Sequence, residues 1–133
     1  MKVLFVCTGN AYRSPLAEAL LKKLRPEWTV DSAGIKNILP IVKDVRDFLR
    51  LEGAEHYLKP GPELVSGKKL GDYDVIVAME GLHRDYLVNL YRDSLNKIVV
   101  WNIKDPYYMN REEALKICFK IKEKVKELAE SKT

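Results

Sequence analysis

The sequence is short of cysteine, of long apolar runs and of any strong excess of one charge, and each shortage excludes something. Two cysteines, Cys7 and Cys118, among 133 residues do not build a disulfide framework. They suit a reducing compartment, where a lone Cys is either a buried filler or a reactive thiol, so a cytoplasmic location is expected. The longest apolar runs, such as Val3–Cys7 and Val75–Met79, are far below the roughly 20 residues of a membrane-spanning helix. No membrane partner is expected, and with a single Lys before the first apolar run no signal peptide either. Lys and Arg number 23 against 19 Asp and Glu, a formal net charge of only +4. The two signs are interleaved, most clearly in Lys120–Lys132, which reads as a solvated helix face rather than a nucleic-acid footprint. A mildly basic surface still attracts acidic, phosphorylated molecules. Internal repeats, low-complexity tracts and long linkers are absent, so residues 1–133 are expected to form one domain.

What is present is punctuation of an alternating kind. Lys2–Val6 is a short run of Val, Leu and Phe, as expected of a central strand buried on both faces. After Cys-Thr-Gly-Asn, Ser14 and Pro15 open a helical pattern, with Leu16, Leu20 and Leu24 on one stripe and Ala17 and Leu21 beside them. Trp28–Ser32 reads as a second strand closed by Ala33-Gly34, and Ile41–Leu51 as a helix stopped by Gly53. Lys59–Gly71, with its prolines and glycines, is mostly loop. Asp74–Met79 and Lys97–Trp101 are the third and fourth strands, separated by a helix over Leu82–Tyr91. Arg111–Glu130 is a long helix whose apolar face is Ala114, Cys118, Ile121, Val125 and Leu128. This order predicts a small three-layer α/β fold: a four-stranded parallel sheet flanked by helices, with a phosphate-binding loop after the first strand. Ligands of such folds bind beyond the carboxyl ends of strands, which places Cys7 and Asp105 at one sheet edge.

The segment Cys7-Thr8-Gly9-Asn10-Ala11-Tyr12-Arg13-Ser14 carries the chemistry. A short loop between a strand and a helix start turns backbone N–H groups toward one point, where the helix dipole adds positive potential for an anion. Gly9 permits a tight bend, and Asn10 tolerates a left-handed conformation while its amide braces the loop. Arg13 offers a planar fork for two phosphoryl oxygens. The same positive field favours a thiolate at Cys7, with the Ser14 hydroxyl within reach of it. The bland alternative for Cys7 is a small buried hydrophobe, but Gly9, Arg13 and Ser14 at this spacing argue for a nucleophile. The Gly-Lys-Ser or Gly-Lys-Thr ending of a nucleotide-binding P-loop is missing, which argues against ATP or GTP hydrolysis. Asp105 in Lys104-Asp105-Pro106-Tyr107-Tyr108 is the candidate acid. Pro106 keeps Asp105 out of helical geometry, and the tyrosines, Tyr107 first, offer a wall to an aromatic leaving group. His56 and His83 read as surface or loop histidines, and Trp28 and Trp101 as packing residues.

Over nearly its whole length the chain resembles the low-molecular-weight protein tyrosine phosphatases. Val6–Pro15 is similar to their nucleophile loop, a Cys and an Arg separated by five residues and followed by Ser-Pro, and Leu16-Ala17-Glu18 continues the likeness. Asp31-Ser32-Ala33-Gly34, Met79-Glu80 and Asp105-Pro106-Tyr107-Tyr108 follow in the same order. The resemblance implies a phosphotyrosine phosphatase with Cys7 as nucleophile, Arg13 as phosphate ligand and Asp105 as general acid, then base. It further implies substrate contacts from the loop residues Thr8, Gly9, Asn10, Ala11, Tyr12 and Ser14 and from Tyr107. Asn10, Ser14 and Ser32 would hold the loop in shape, and a histidine from the region of His56 would brace it. No metal or other cofactor is implied, and a monomer acting on a phosphorylated protein or a small aryl phosphate is expected.

Three departures from the family pattern bear on substrate and redox behaviour. Tyr12 stands where many members carry a second Cys able to form a protective disulfide. Ala11 stands where members often have a bulky apolar residue and relatives resembling protein-arginine phosphatases have Thr. The Ile35–Pro40 loop lacks an aromatic wall residue, which leaves Ile38 or Leu39 to take that place. The alternative to phosphotyrosine is therefore phosphoarginine. Arsenate reductases share the loop but need two further cysteines, which Met79–Asn89 lacks. A cysteine phosphocarrier would not need Arg13 and Asp105, and a non-catalytic phosphopeptide module would not need Cys7 and Asp105 together.

Overall fold

A computed structural model describes residues 1–36 and 40–131. The elements alternate as the sequence predicts: β1 (Lys2–Cys7), α1 (Arg13–Leu24), β2 (Thr29–Gly34), α2 (Lys43–Leu51), β3 (Val75–Ala78), α3 (Gly81–Leu90), β4 (Ile98–Val100) and α4 (Arg111–Ser131). The four strands form one parallel sheet in the order β2-β1-β3-β4. Boundaries shift by a residue or two from the predicted ones. α1 opens at Arg13 rather than Ser14, and β2 runs on through Gly34. The Lys59–Gly71 stretch is loop with short 3₁₀ turns at Val65–Gly67 and Leu70–Asp72.

The period-two geometry of β1 splits the core into two layers. Val3, Phe5 and Cys7 face α1, α2 and α4, where they meet Leu16, Leu20, Phe48, Ile121 and Val125. Leu4 and Val6 face the other way, onto Leu87 of α3, Tyr73 and Ile76. Every β1 residue from Val3 to Val6 is fully buried, and burying a side chain such as Phe5 contributes about 1.5–3 kcal/mol. Two predicted core positions lie elsewhere. Leu24 at the end of α1 is nearly half exposed, and Ala129 rather than Leu128 completes the fully buried stripe of α4. Trp101 packs on Phe5 with ring centroids 5.5 Å apart, and Trp28 lies half-buried under the Arg25 guanidinium.

The parallel arrangement delivers the ends of β1, β2, β3 and β4 to one edge. Gly34 at the end of β2 packs so closely on the loop after β1 that a Cβ there would lie 2.8 Å from backbone atoms of Thr8 and Gly9. Only glycine fits that contact. Beyond β4, Asn102 takes a left-handed conformation (φ 57°), and Ile103 bonds back to Met79 through its N–H.

Candidate active site

The loop between β1 and α1 closes around a cleft of about 340 Å³ lined by Cys7, Thr8, Gly9, Ala11 and Arg13, with Asp105 and Tyr107 across from them. No side chain caps α1 at its start, so its first-turn N–H groups remain available to an anion. The left-handed residue of the loop is Asn10, at φ 53°.

Asn10 is fully buried, and all four hydrogen-bonding positions of its amide are used. Its Oδ1 accepts from Lys59 Nζ at 3.0 Å and from the Glu63 N–H at 2.9 Å. Both partners can only donate, which fixes the orientation of the amide. Its Nδ2 therefore donates, to Ser14 Oγ at 2.8 Å and to Ser32 Oγ at 2.9 Å. Ser14 Oγ lies 2.9 Å from Cys7 Sγ with its own hydrogen still available, and a thiolate at Cys7 could only accept it. Ser32 likewise sends its hydrogen to Glu18 Oε1 at 2.5 Å. The chain of bonds from Asn10 thus reaches the Cys7 sulfur, and Cys7 is 2% exposed at the floor of the cleft.

Lys59 anchors the far end of this network. It is buried, donates to the Ser32 carbonyl at 2.7 Å, and pairs with Glu63 at 2.7 Å, with Asp31 and Glu18 at 3.7 and 3.8 Å. Lys68 bridges Asp31 and Glu63 at 2.6 and 2.7 Å. Burial alone would raise the Asp31 and Glu63 carboxyls, but Lys68 and the Ser32 N–H at Asp31, and bonds from Lys59 and Lys68 at Glu63, hold both below the usual carboxylate range. Lys68 is pushed up to about 12 by the same pairs, against the opposing effect of its burial.

Arg13 is buried apart from its working end. Its Nη1 donates to the Ile103 carbonyl at 2.8 Å and pairs with Glu80 Oε2 at 3.0 Å. Its Nη2 lies 3.6 Å from Asp105 Oδ2 and 3.4 Å from Thr8 Oγ1. The backbone N–H of Tyr107 holds the other Asp105 oxygen at 3.0 Å, so Oδ2 is the oxygen turned to the cleft. Asp105 is half exposed, and the rings of Tyr107 and Tyr108 stand edge to face at its rim, 4.9 Å apart.

The structure brings Cys7, Thr8, Gly9, Ala11, Arg13, Asp105 and Tyr107 to one cleft, while Asn10, Ser14 and Ser32 are fully buried braces behind it. Tyr12 borders the cleft, yet its phenol turns into the core, 3.6 Å from Cys118 Sγ. Burial and that contact push the phenol well above its ordinary value, and burial raises the Cys118 thiol. The expected aromatic substitutes Ile38 and Leu39 lie outside the described residues. Lys36 and Val42, unremarked in the sequence, line the cleft beside Ala11.

Two readings of the sequence are corrected. His83 is not a surface histidine: it is fully buried at the start of α3, and its Nε2 meets Thr8 Oγ1 at 2.9 Å. His56 is exposed, as read from the sequence, and the side chain bracing the loop from that region is Lys59 instead of a histidine. A lysine before Pro60-Gly61-Pro62 gives no periodic signal. His83, by contrast, follows the end of β3 by a few residues, and the strand-end rule that singled out Cys7 and Asp105 would have found it.

Residues 2–132 match the sequence profile of the low molecular weight phosphotyrosine protein phosphatases. The low molecular weight protein-tyrosine-phosphatase Wzb of Salmonella typhi is 32% identical over 123 residues, covering 84% of this chain and 80% of the relative. Vibrio vulnificus Wzb, solved in complex with benzylphosphonate, is 26% identical and superposes with a TM-score of 0.86, covering 98% of this chain and 97% of that one. YwlE arginine phosphatase, solved with a phosphorylated active-site serine, shares the fold with a TM-score of 0.86 at 21% identity, covering 98% of this chain and 95% of that one. With the loop, the brace and the acid-bearing turn assembled at one sheet edge, the chain belongs to the low molecular weight phosphotyrosine protein phosphatase family, a family of hydrolases.

Proposed function

We propose that this protein hydrolyses aryl phosphate monoesters, phosphotyrosine in proteins above all, through a phosphocysteine on Cys7. The observation that carries the reading is the chain Asn10–Ser14–Cys7, which sets a hydroxyl 2.9 Å from the sulfur beneath the cleft, ready to donate to a thiolate. A thiolate accepting that bond is stabilised as a nucleophile. Arg13 Nη2 and the loop N–H groups hold the phosphoryl oxygens and take up their charge without help from a cofactor. In the first step the S–P bond forms, the P–O bond to the leaving group breaks, and Asp105 passes its proton to the departing oxygen. In the second, water attacks phosphorus, Asp105 takes a proton from that water, and the S–P bond breaks to return the thiolate and release inorganic phosphate.

The Tyr107 and Tyr108 rings at the rim support an aromatic leaving group, and Lys36 at the same mouth disfavours a second cationic group such as a guanidinium. Among the described residues no helix is long and apolar enough to cross a membrane, and no group of three His, Cys, Asp or Glu is placed to hold a metal ion. A cytoplasmic monomer with one domain over residues 1–133 completes the reading. The test is turnover of phosphotyrosine, phosphoserine and phosphoarginine peptides in EDTA by wild type and Cys7→Ser. Phosphotyrosine hydrolysis lost in Cys7→Ser is expected. Full activity in Cys7→Ser would end the proposal, and preference for phosphoarginine would replace its substrate.

A further inference from the structure

The polar groups on the β3 side of the loop leave one hydrogen unassigned. The backbone N–H of Glu80 donates to His83 Nδ1 at 3.0 Å, so that nitrogen carries no proton. His83 is fully buried, and its burial, with Arg13 close by, pushes its pKa down to about 4. The ring is therefore neutral near pH 7, with its single proton on Nε2. Nε2 lies 2.9 Å from Thr8 Oγ1 and must be the donor there. Arg13 Nη2, 3.4 Å from the same oxygen, can also only donate. Two donors occupy the lone pairs of Thr8 Oγ1, so its own hydrogen points elsewhere. Among the described residues no hydrogen-bond acceptor takes it. Thr8 is part-exposed and lines the cleft next to Cys7 and Arg13.

We infer that the Thr8 hydroxyl is a phosphate ligand, donating to the phosphoryl oxygen that Arg13 Nη2 grips, and that His83 is the positioning residue that aims it. This inference rests on the phosphatase reading above. A free alkyl side chain at this position would leave the wall of the cleft apolar. The fixed tautomer of His83 instead turns the threonine into a donor only, matched to a group with oxygen acceptors and no hydrogens of its own. The donor adds to the Arg13 fork and the loop N–H groups on the side of the cleft nearest Asp105, where charge moves as the leaving group departs. Its partner is a charged phosphoryl oxygen, so its loss is expected to exceed that of a neutral hydrogen bond.

The experiment measures kcat and KM on p-nitrophenyl phosphate and inhibition by inorganic phosphate, with thermal melts to check folding. Thr8→Val, which keeps the shape and removes the hydroxyl, is expected to lose about tenfold in kcat/KM and to weaken phosphate inhibition by a similar factor. Thr8→Ser is expected to recover most of that loss. His83→Leu should reduce kcat/KM in the wild-type background and reduce it no further in Thr8→Val, because a positioning residue acts only through the group it positions. Should His83→Leu fail to fold, His83→Gln, which offers an N–H donor at a comparable reach, takes its place and is expected to retain more activity than Thr8→Val. Wild-type kinetics in Thr8→Val would overturn the inference, as would additive losses from the two positions. An inactive wild-type enzyme would overturn the phosphatase reading itself, a result separable from either.

Discussion

On the β2 side of the nucleophile loop every polar position of Asn10 is paired, whereas on the β3 side Thr8 keeps a hydrogen with no acceptor among the described residues. The first side is built from charges: Lys59 and Lys68 against Glu18, Asp31 and Glu63. The second rests on a neutral histidine and on Arg13, itself paired with Glu80 and near Asp105. A saturated network sets a shape, because any change leaves a buried group unpaired. An unsaturated one is ready to bind, because its remaining valence is offered to whatever enters. The loop uses the first to hold a left-handed turn and the second to face its ligand.

Substitutions can break this contrast, and the largest effect is expected at Arg13, the one residue that serves both purposes. Arg13→Lys removes the planar fork and its bonds to Ile103 and Glu80, and kcat/KM on p-nitrophenyl phosphate is expected to fall by about 10²–10³. Next comes the saturated side. Lys59→Met leaves Asn10 Oδ1 with only the Glu63 N–H and takes the buried counter-charge from Glu63, Asp31 and Glu18, and urea unfolding is expected to show a loss of about 2–4 kcal/mol. Gly34→Ala forces a methyl against the backbone of Thr8 and Gly9. About 1–3 kcal/mol is expected there, together with reduced turnover, since the loop itself must move.

The unsaturated side should respond to pH instead. An unfolded histidine takes up its proton near pH 6.5, while folded His83 does so only near 4. Acid therefore favours the unfolded chain across that window, and stability falls as pH drops from 6.5 toward 4. Wild type is expected to lose about 2 kcal/mol more than His83→Gln between pH 7 and 4.5, above most of the carboxylate titrations. Equal pH profiles would mean that folded His83 titrates as the unfolded residue does, and that its Nδ1 is not held as a bare acceptor by the Glu80 N–H. The smallest change in stability belongs to Thr8→Val, expected to stay within about 1 kcal/mol of wild type while activity drops.

What was legible in the sequence follows the same division. The strands, their parallel sheet and the front of the site came from short-range signals: β1's apolar run, the spacing of Cys7, Arg13 and Ser14, and Asp105 before Pro106. Behind the loop Asn10, Ser14 and Ser32 were anticipated, but their long-range partners were missed: Lys59 reaches Asn10 across 49 positions, and His83, close enough to a strand end to be a candidate, reaches Thr8 across 75. Neither contact has a periodic or local signature, and a buried lysine is anticipated only once its carboxylates are known to surround it. Tyr12 marks the same limit. Its place in the chain is that of a loop residue, and only packing against α4 shows that its phenol meets Cys118 rather than a substrate.

On the proposed mechanism the Cys7 sulfur, bonded to Ser14 beneath the cleft, is the atom that accepts the phosphoryl group. Acid quench of Asp105→Asn during turnover of p-nitrophenyl phosphate, followed by peptide mass spectrometry, tests it most directly. Slowed hydrolysis should let the intermediate accumulate, and one phosphoryl group is expected on the peptide containing Cys7. A phosphoryl group on any other residue, or turnover with no covalent adduct at any time point, would contradict it.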